Sequence, residues 1–132
     1  MYRKLLLRLP MFRNCPSQVI LELCLIIKPY TLMKDDVVTS ENSLAEEMYF
    51  VQKGQVQIVR YGLVLGILSD GGFFGQEGLL PGRQFREHTV TALTDCDLLF
   101  MKARDVHSIA KKYPSFAFGF PLTDPYLDIY SS

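Results

Sequence analysis

MYFVQKGQVQIVRYGLVLGILSDGGFFGQEGLLPGRQFREHTV, residues 48–90, is made of short β-branched and aromatic runs separated by glycine and by Ser-Asp-Gly-Gly. Within it QVQIV alternates, so that Val56 and Ile58 fall on one side and Gln55, Gln57 and Val59 on the other, the period of a half-buried strand. The same texture fills residues 30–102, through YTL, VVT, LVLGIL, TVTAL and CDLLFM, with Asp-Asp and Pro-Gly as further turn signals. Many short strands at close spacing predict a sandwich, roll or barrel.

The pattern changes on both sides of this region. Upstream, VILELCLII places Val19, Leu23 and Ile26 or Ile27 at helical spacing; a helix is expected to start near Ser17 as cap and to end before Pro29. Downstream, ARDVHSIAKKY puts Val106, Ile109 and Ala110 on one helical face with basic residues at its end, and Pro114 stops it. The closing SFAFGFPLTDPYLDIYSS carries Gly119, Pro121 and Pro125 and no helical period. The expected organisation is one domain, 1–132, with a helical part at 1–29, β-structure at 30–102, a helix at 103–114 and an irregular tail at 115–132.

A chain of 132 residues is one domain in size. Its 48% hydrophobic residues argue against disorder, and 14 basic against 14 acidic residues offer no surface for a polyanion, so nucleic acid is not an expected partner. Cys15, Cys24 and Cys96 are odd in number and lack metal-ligand spacing, which fits a reducing compartment. The longest apolar stretch, 19–27, is broken by Glu22 and too short to span a bilayer, and the opening residues lack a signal-peptide cleavage region. No direct membrane insertion by this piece is expected. Neither a nucleophile with its base nor a metal set is present; His88 and His107 stand without motif context, and the pairs Asp35-Asp36 and Glu46-Glu47 read as solvated edges of strand turns. The expectation is therefore a protein that is not an enzyme.

Residues 71–86 carry the chemistry. Gly71, Gly72 and Gly75 let the backbone turn sharply, QEGLL can form one helical turn with free amides, and Arg86 is expected to begin the next strand. Converging amides and a forked arginine hold a small anion. The residues alone leave a second reading open, a glycine-rich turn between strands beside a solvated arginine.

Taken in order, MYFVQKGQVQIV, LSDGGFFGQEGLL and REHTVTALTDCDL resemble the cyclic-nucleotide-binding domain of hyperpolarization-activated and cyclic-nucleotide-gated channels, over residues 2–116. ALTDCDL is also similar to ether-à-go-go channels, whose homologous domain generally uses no nucleotide. The resemblance implies an α+β fold: an antiparallel eight-stranded, jelly-roll-like β-roll with an N-terminal helix, a short phosphate-cassette helix and a C-terminal helix. It implies cAMP or cGMP as ligand and coupling of occupancy to the gate of a parent channel; no other cofactor is expected, and the residues offer no metal-ligand spacing. That parent is expected to be tetrameric, with this domain on the cytoplasmic side of the cell membrane. The cassette residues it implies are Phe74, Gly75, Gln76, Gly78 and Leu79; Arg86 takes the phosphate, with Glu87 beside it, and Ile58, Gly66 and Leu68 form the apolar side of the base pocket.

Departures from the family pattern set a rival expectation. Gln76 stands where the family has a glutamate for the ribose hydroxyl, which lowers affinity by about tenfold if a charged hydrogen bond becomes a neutral one. Glu77 projects differently from the turn and does not substitute. Glu87 either repels the ligand or occupies Arg86, PGRQF is one residue longer than the channel pattern, and His88 takes a small-residue position. The turn Lys34-Asp35-Asp36 replaces Pro-Gly-Asp, with aspartate tolerating a left-handed backbone. No lid helix is legible in the tail, where PYLDIY either fills the pocket or covers apolar surface. The alternative function is a nucleotide-independent structural or interaction module.

Overall fold

The computed structural model describes residues 2–113; the expectations for the tail, including its lack of a lid helix and the role of PYLDIY, lie outside the described residues. Two helices, α1 (Arg3–Leu7) and α2 (Ser17–Ile26), precede the strands β1 (Lys28–Leu32), β2 (Val37–Thr39), β3 (Glu47–Lys53), β4 (Val56–Arg60), β5 (Leu63–Leu68) and β6 (Phe73–Phe74). A 3-10 turn at Gln76–Leu79 leads to β7 (Thr89–Ala92), β8 (Cys96–Lys102) and α3 (Ala103–Lys112). The strands form two antiparallel sheets, in the orders β1-β8-β3-β6 and β2-β7-β4-β5. This is the β-roll that the resemblance implied.

The strand β3 explains how the layers stack. Its alternation sends Met48 and Phe50 into a cluster with Leu6, Phe12, Val19, Leu23, Val106 and Ile109 from the helices, and sends Tyr49 and Val51 into the space between the sheets. Burial on both faces gives the nearly continuous apolar run MYFV its character. In β4, Val56 and Ile58 are fully buried and Gln57 and Val59 only half-buried, as the alternation predicts.

Three details differ from the sequence reading. Ser17 is the first helical residue of α2 rather than its cap; Pro16, with φ −58 and ψ 152, takes the cap position, and its carbonyl accepts the first helical bond from Ile20 at 3.1 Å. Pro29 lies inside β1, tolerated because β1 is an edge strand that can spare an N–H. On α3, Ala103, Val106 and Ile109 are buried while Ala110 sits at the margin. The Lys34-Asp35-Asp36 turn behaves as expected: Asp35 adopts φ 74, and the Asp36 carboxylate accepts from the Met33 amide at 2.8 Å.

Phe50 is 1% exposed between sheet and helices, whereas Leu25, on the outer face of α2, is 84% exposed. Phe50→Ala is expected to cost about 3–5 kcal/mol and Leu25→Ala less than about 0.5 kcal/mol. Urea unfolding of the two variants checks the layering; similar losses at both positions would contradict it.

Candidate functional site

Three segments converge on one guanidinium. The first is β6, which pairs with β3 so that Phe74 lies opposite Tyr49, their rings stacked with centroids 5.0 Å apart. The chain then reverses at Gly75, whose φ is 82. A Cβ there would stand 2.7 Å from Arg86 Nη1 and 2.9 Å from the Glu47 carbonyl oxygen, and one at Gly78 would stand 2.9 Å from the Ala45 carbonyl oxygen. Both glycines are thus places where backbone and neighbour approach too closely for a side chain.

The second segment is the Gln76–Leu79 turn. It is 3-10 in form, with the Gly78 amide donating to the Gly75 carbonyl at 3.2 Å and the Leu80 amide to Glu77 at 3.2 Å. The third runs through residues 84–86, strapped to residues 42–45. Ala45 N–H donates to the Gln84 carbonyl at 2.9 Å, Arg86 N–H to Ser43 at 2.7 Å and Asn42 N–H to Arg86 at 2.8 Å. Arg86 therefore precedes the next strand rather than beginning it; β7 starts at Thr89, and only an isolated bridge between Leu44 and Phe85 lies here.

With its backbone strapped down, the Arg86 side chain runs inward and the residue is 3% exposed. Nη1 donates to the Gly75 carbonyl at 3.1 Å and to Glu77 Oε1 at 3.3 Å. Nη2 donates to the Glu47 carbonyl at 2.7 Å and to Glu47 Oε2 at 3.4 Å. A charge out of water needs such partners, since burying it without them costs several kcal/mol. Glu47 Oε2 also accepts from the Tyr49 hydroxyl at 3.3 Å. Burial first, and then the adjacent Glu47 carboxylate, push the Tyr49 phenol well above its ordinary pKa, so it stays a donor.

Glu87 does not occupy Arg86. It is exposed while its neighbour is buried, as adjacent residues of an extended segment face opposite ways. The acids that do meet Arg86 are Glu47, which the sequence reading left as a solvated edge, and Glu77. A signal for Glu47 was present in the strand period: Glu47, Tyr49 and Val51 share one face of β3, and Tyr49 and Val51 face the space between the sheets.

The remaining residues of the expected cassette split between two environments. Gln76 is 8% exposed and its Oε1 is buried without a hydrogen-bond partner among the described residues. Leu79 points away from the roll interior into the helix-side cluster, and its carbonyl accepts from His107 Nε2 of α3 at 3.0 Å. Of the residues expected to form the base pocket, Ile58 is fully buried and lies opposite Gly66 on β5, with Val90 of β7 on its other flank; Leu68 packs partly buried against the same cluster. The structure thus gathers Phe74, Ile58 and Leu68 in the inter-sheet cluster, with Gly66 opposite Ile58, sets Gly75 against Arg86 and the Tyr49 ring, and turns Gly78 towards Ala45 instead.

A separate cleft of ≈ 430 Å³ lies between the Gln76–Leu79 turn and α3, lined by Glu46, Glu47, Gly78, Arg83, Lys102 and His107 among others. None of Ile58, Gly66 and Leu68 borders it. Among the described residues no helix is long and apolar enough to cross a membrane.

Residues 30–113 match the family described as the cyclic nucleotide-binding domain. The chain is 30% identical over 112 residues to the mouse (Mus musculus) potassium/sodium hyperpolarization-activated cyclic nucleotide-gated channel 2, covering 85% of this chain and 13% of that one. It is 28% identical over 118 residues to the rat (Rattus norvegicus) voltage-gated inwardly rectifying potassium channel KCNH6, covering 89% of this chain and 12% of that one. Among solved structures, the C-linker and homology domain of zELK channels, crystallized in the presence of cAMP, superposes with a TM-score of 0.77 at 25% identity, over 95% of this chain and 59% of the other. The regulatory domain of Toxoplasma gondii PKA with cAMP has the same fold, with a TM-score of 0.75 at 21% identity, over 86% of this chain and 44% of the other. The chain therefore spans a small part of these channel relatives, and it belongs to the cyclic nucleotide-binding domain family.

Proposed function

We propose that this domain is a regulatory module that binds a cyclic nucleotide, cAMP or cGMP, without altering it, and transmits occupancy to a channel-type parent on the cytoplasmic side of the cell membrane. The observation that carries this reading is the buried Arg86 guanidinium, held over Gly75 at the edge of the roll interior. An arginine so placed offers the forked donor geometry that suits a phosphate. Gln76 adds a buried acceptor with no partner among the described residues, which a ribose hydroxyl would satisfy. Ile58, Gly66 and Leu68 offer an apolar wall for the base.

The path outward runs through Leu79. Its side chain packs with Val106 and Ile109 of α3, and its carbonyl bonds to His107. At the other end of α3, Lys112 pairs with Glu22 of α2 at 2.6 Å. A shift of the cassette on binding would thus be felt by α3 and α2, and a coupling of about 1–3 kcal/mol suffices to bias a gate. A tetrameric parent follows from the channel likeness and belongs to the same proposal.

A second reading has one observation in its favour. The terminal nitrogens of Arg86 already meet four acceptors inside the protein, so the fold does not need a ligand to satisfy them. In that case the domain acts as a nucleotide-independent interaction module.

Calorimetry and amide NMR with cAMP and cGMP up to millimolar concentration separate the two. The binding reading expects saturable shifts centred on residues 74–90, and Arg86→Lys, which keeps the charge but loses the fork, should weaken binding at least about tenfold. The absence of any saturable change would leave the interaction module as the better account. Gly75→Ala should abolish the same signal while the far-UV circular dichroism stays native, since its Cβ would displace Arg86 Nη1; undiminished binding would show that the cassette geometry does not matter.

A further inference from the structure

We infer that Glu77 is an internal competitor for Arg86, a carboxylate that occupies the donor position a cyclic phosphate must take, so that nucleotide binding is an exchange of one anion for another. This rests on the proposed binding function and concerns what sets its strength.

The four acceptors around Arg86 are not equivalent. The carbonyls of Glu47 and Gly75 lie at 2.7 and 3.1 Å, and they belong to backbone fixed by β3 and by the Gly75 reversal. The carboxylate contacts are longer, 3.3 Å to Glu77 and 3.4 Å to Glu47. Both carboxylates sit on side chains more than a quarter exposed, 27% for Glu77 and 30% for Glu47, against 2% for Arg86. These two acceptors are the ones able to leave, because each can be rehydrated as it swings out.

Between them the choice falls on Glu77. Glu47 Oε2 is held a second time by the Tyr49 hydroxyl, whereas among the described residues the Glu77 carboxylate bonds to Arg86 alone. Glu77 also rides on the Gln76–Leu79 turn, the segment a ligand would meet. The charges agree with exchange. One guanidinium faces two carboxylates, so a further anion would be added to an excess of negative charge; with Glu77 swung away, a singly charged cyclic ester restores the original balance on Arg86.

The test is a cAMP titration of the 132-residue chain by calorimetry, comparing wild type, Glu77→Gln, Glu77→Asp and the Glu77→Gln/Arg86→Lys double variant, each first checked for native circular dichroism. Glu77→Gln should bind about tenfold tighter, with the gain lost in the double variant. Glu77→Asp, which keeps the charge but is one methylene short of Arg86, should fall between wild type and Glu77→Gln. If wild type saturates and Glu77→Gln binds no more tightly, the competitor role is overturned and the binding function stands. If neither protein shows saturable binding at millimolar cAMP, the binding function fails and the competitor role with it.

Discussion

A guanidinium that leaves water must find acceptors in fixed places, and this requirement organises the segments around Arg86. Arg86 finds two of them in backbone carbonyls, from Gly75 and Glu47, which arrive from segments far apart in sequence. For the Gly75 carbonyl to reach Nη1 the chain must turn through a positive φ with no side chain in the way. For Glu47 to present both its carbonyl and its carboxylate, β3 must enter the sheet in the phase that faces Glu47 and Tyr49 toward the roll interior. The straps between residues 84–86 and 42–45 then aim the arginine inward. Weakening any of these elements leaves a buried charge with fewer partners, a far larger penalty than losing a surface ion pair.

The same strand that frames the site also joins it to the helices. Met48 and Phe50, one residue out of phase with Glu47 and Tyr49, pack on the opposite face with residues of α1, α2 and α3. Leu79 brings the Gln76–Leu79 turn into that second cluster as well. The Arg86 contacts on one face of β3 and the packing under the helices on the other are thus one continuous piece of structure. A rigid sheet with a short turn seated on a helix is the kind of arrangement in which a small local shift becomes a change of helix position.

Much of this was legible in the residues. Alternation in QVQIV identified the buried side of β4, the glycine and aspartate turns separated the strands, and the helical period of 103–113 located α3. The motif order drew attention to Arg86, which the structure shows buried and ahead of β7 rather than at its start. What stayed hidden was pairwise: adjacency drew attention to Glu87, yet an extended segment turns neighbours apart, and the acids that reach Arg86 come from 39 and 9 positions away. Glu47 was hidden behind its neighbour Glu46, which is exposed; only the phase of β3 distinguishes them. The short α1 and the place of Pro29 within an edge strand were likewise set by tertiary packing rather than by local propensity.

The most direct test of this account is nitrogen-detected NMR of the Arg86 side chain in the free protein and with cAMP added. A guanidinium held by four acceptors predicts resolved, slowly rotating Nη groups protected from exchange with water, whose shifts move when the nucleotide saturates the site. A single averaged Nη signal exchanging at the rate of a free arginine would mean that the side chain is not held, and the arrangement built on it would be wrong.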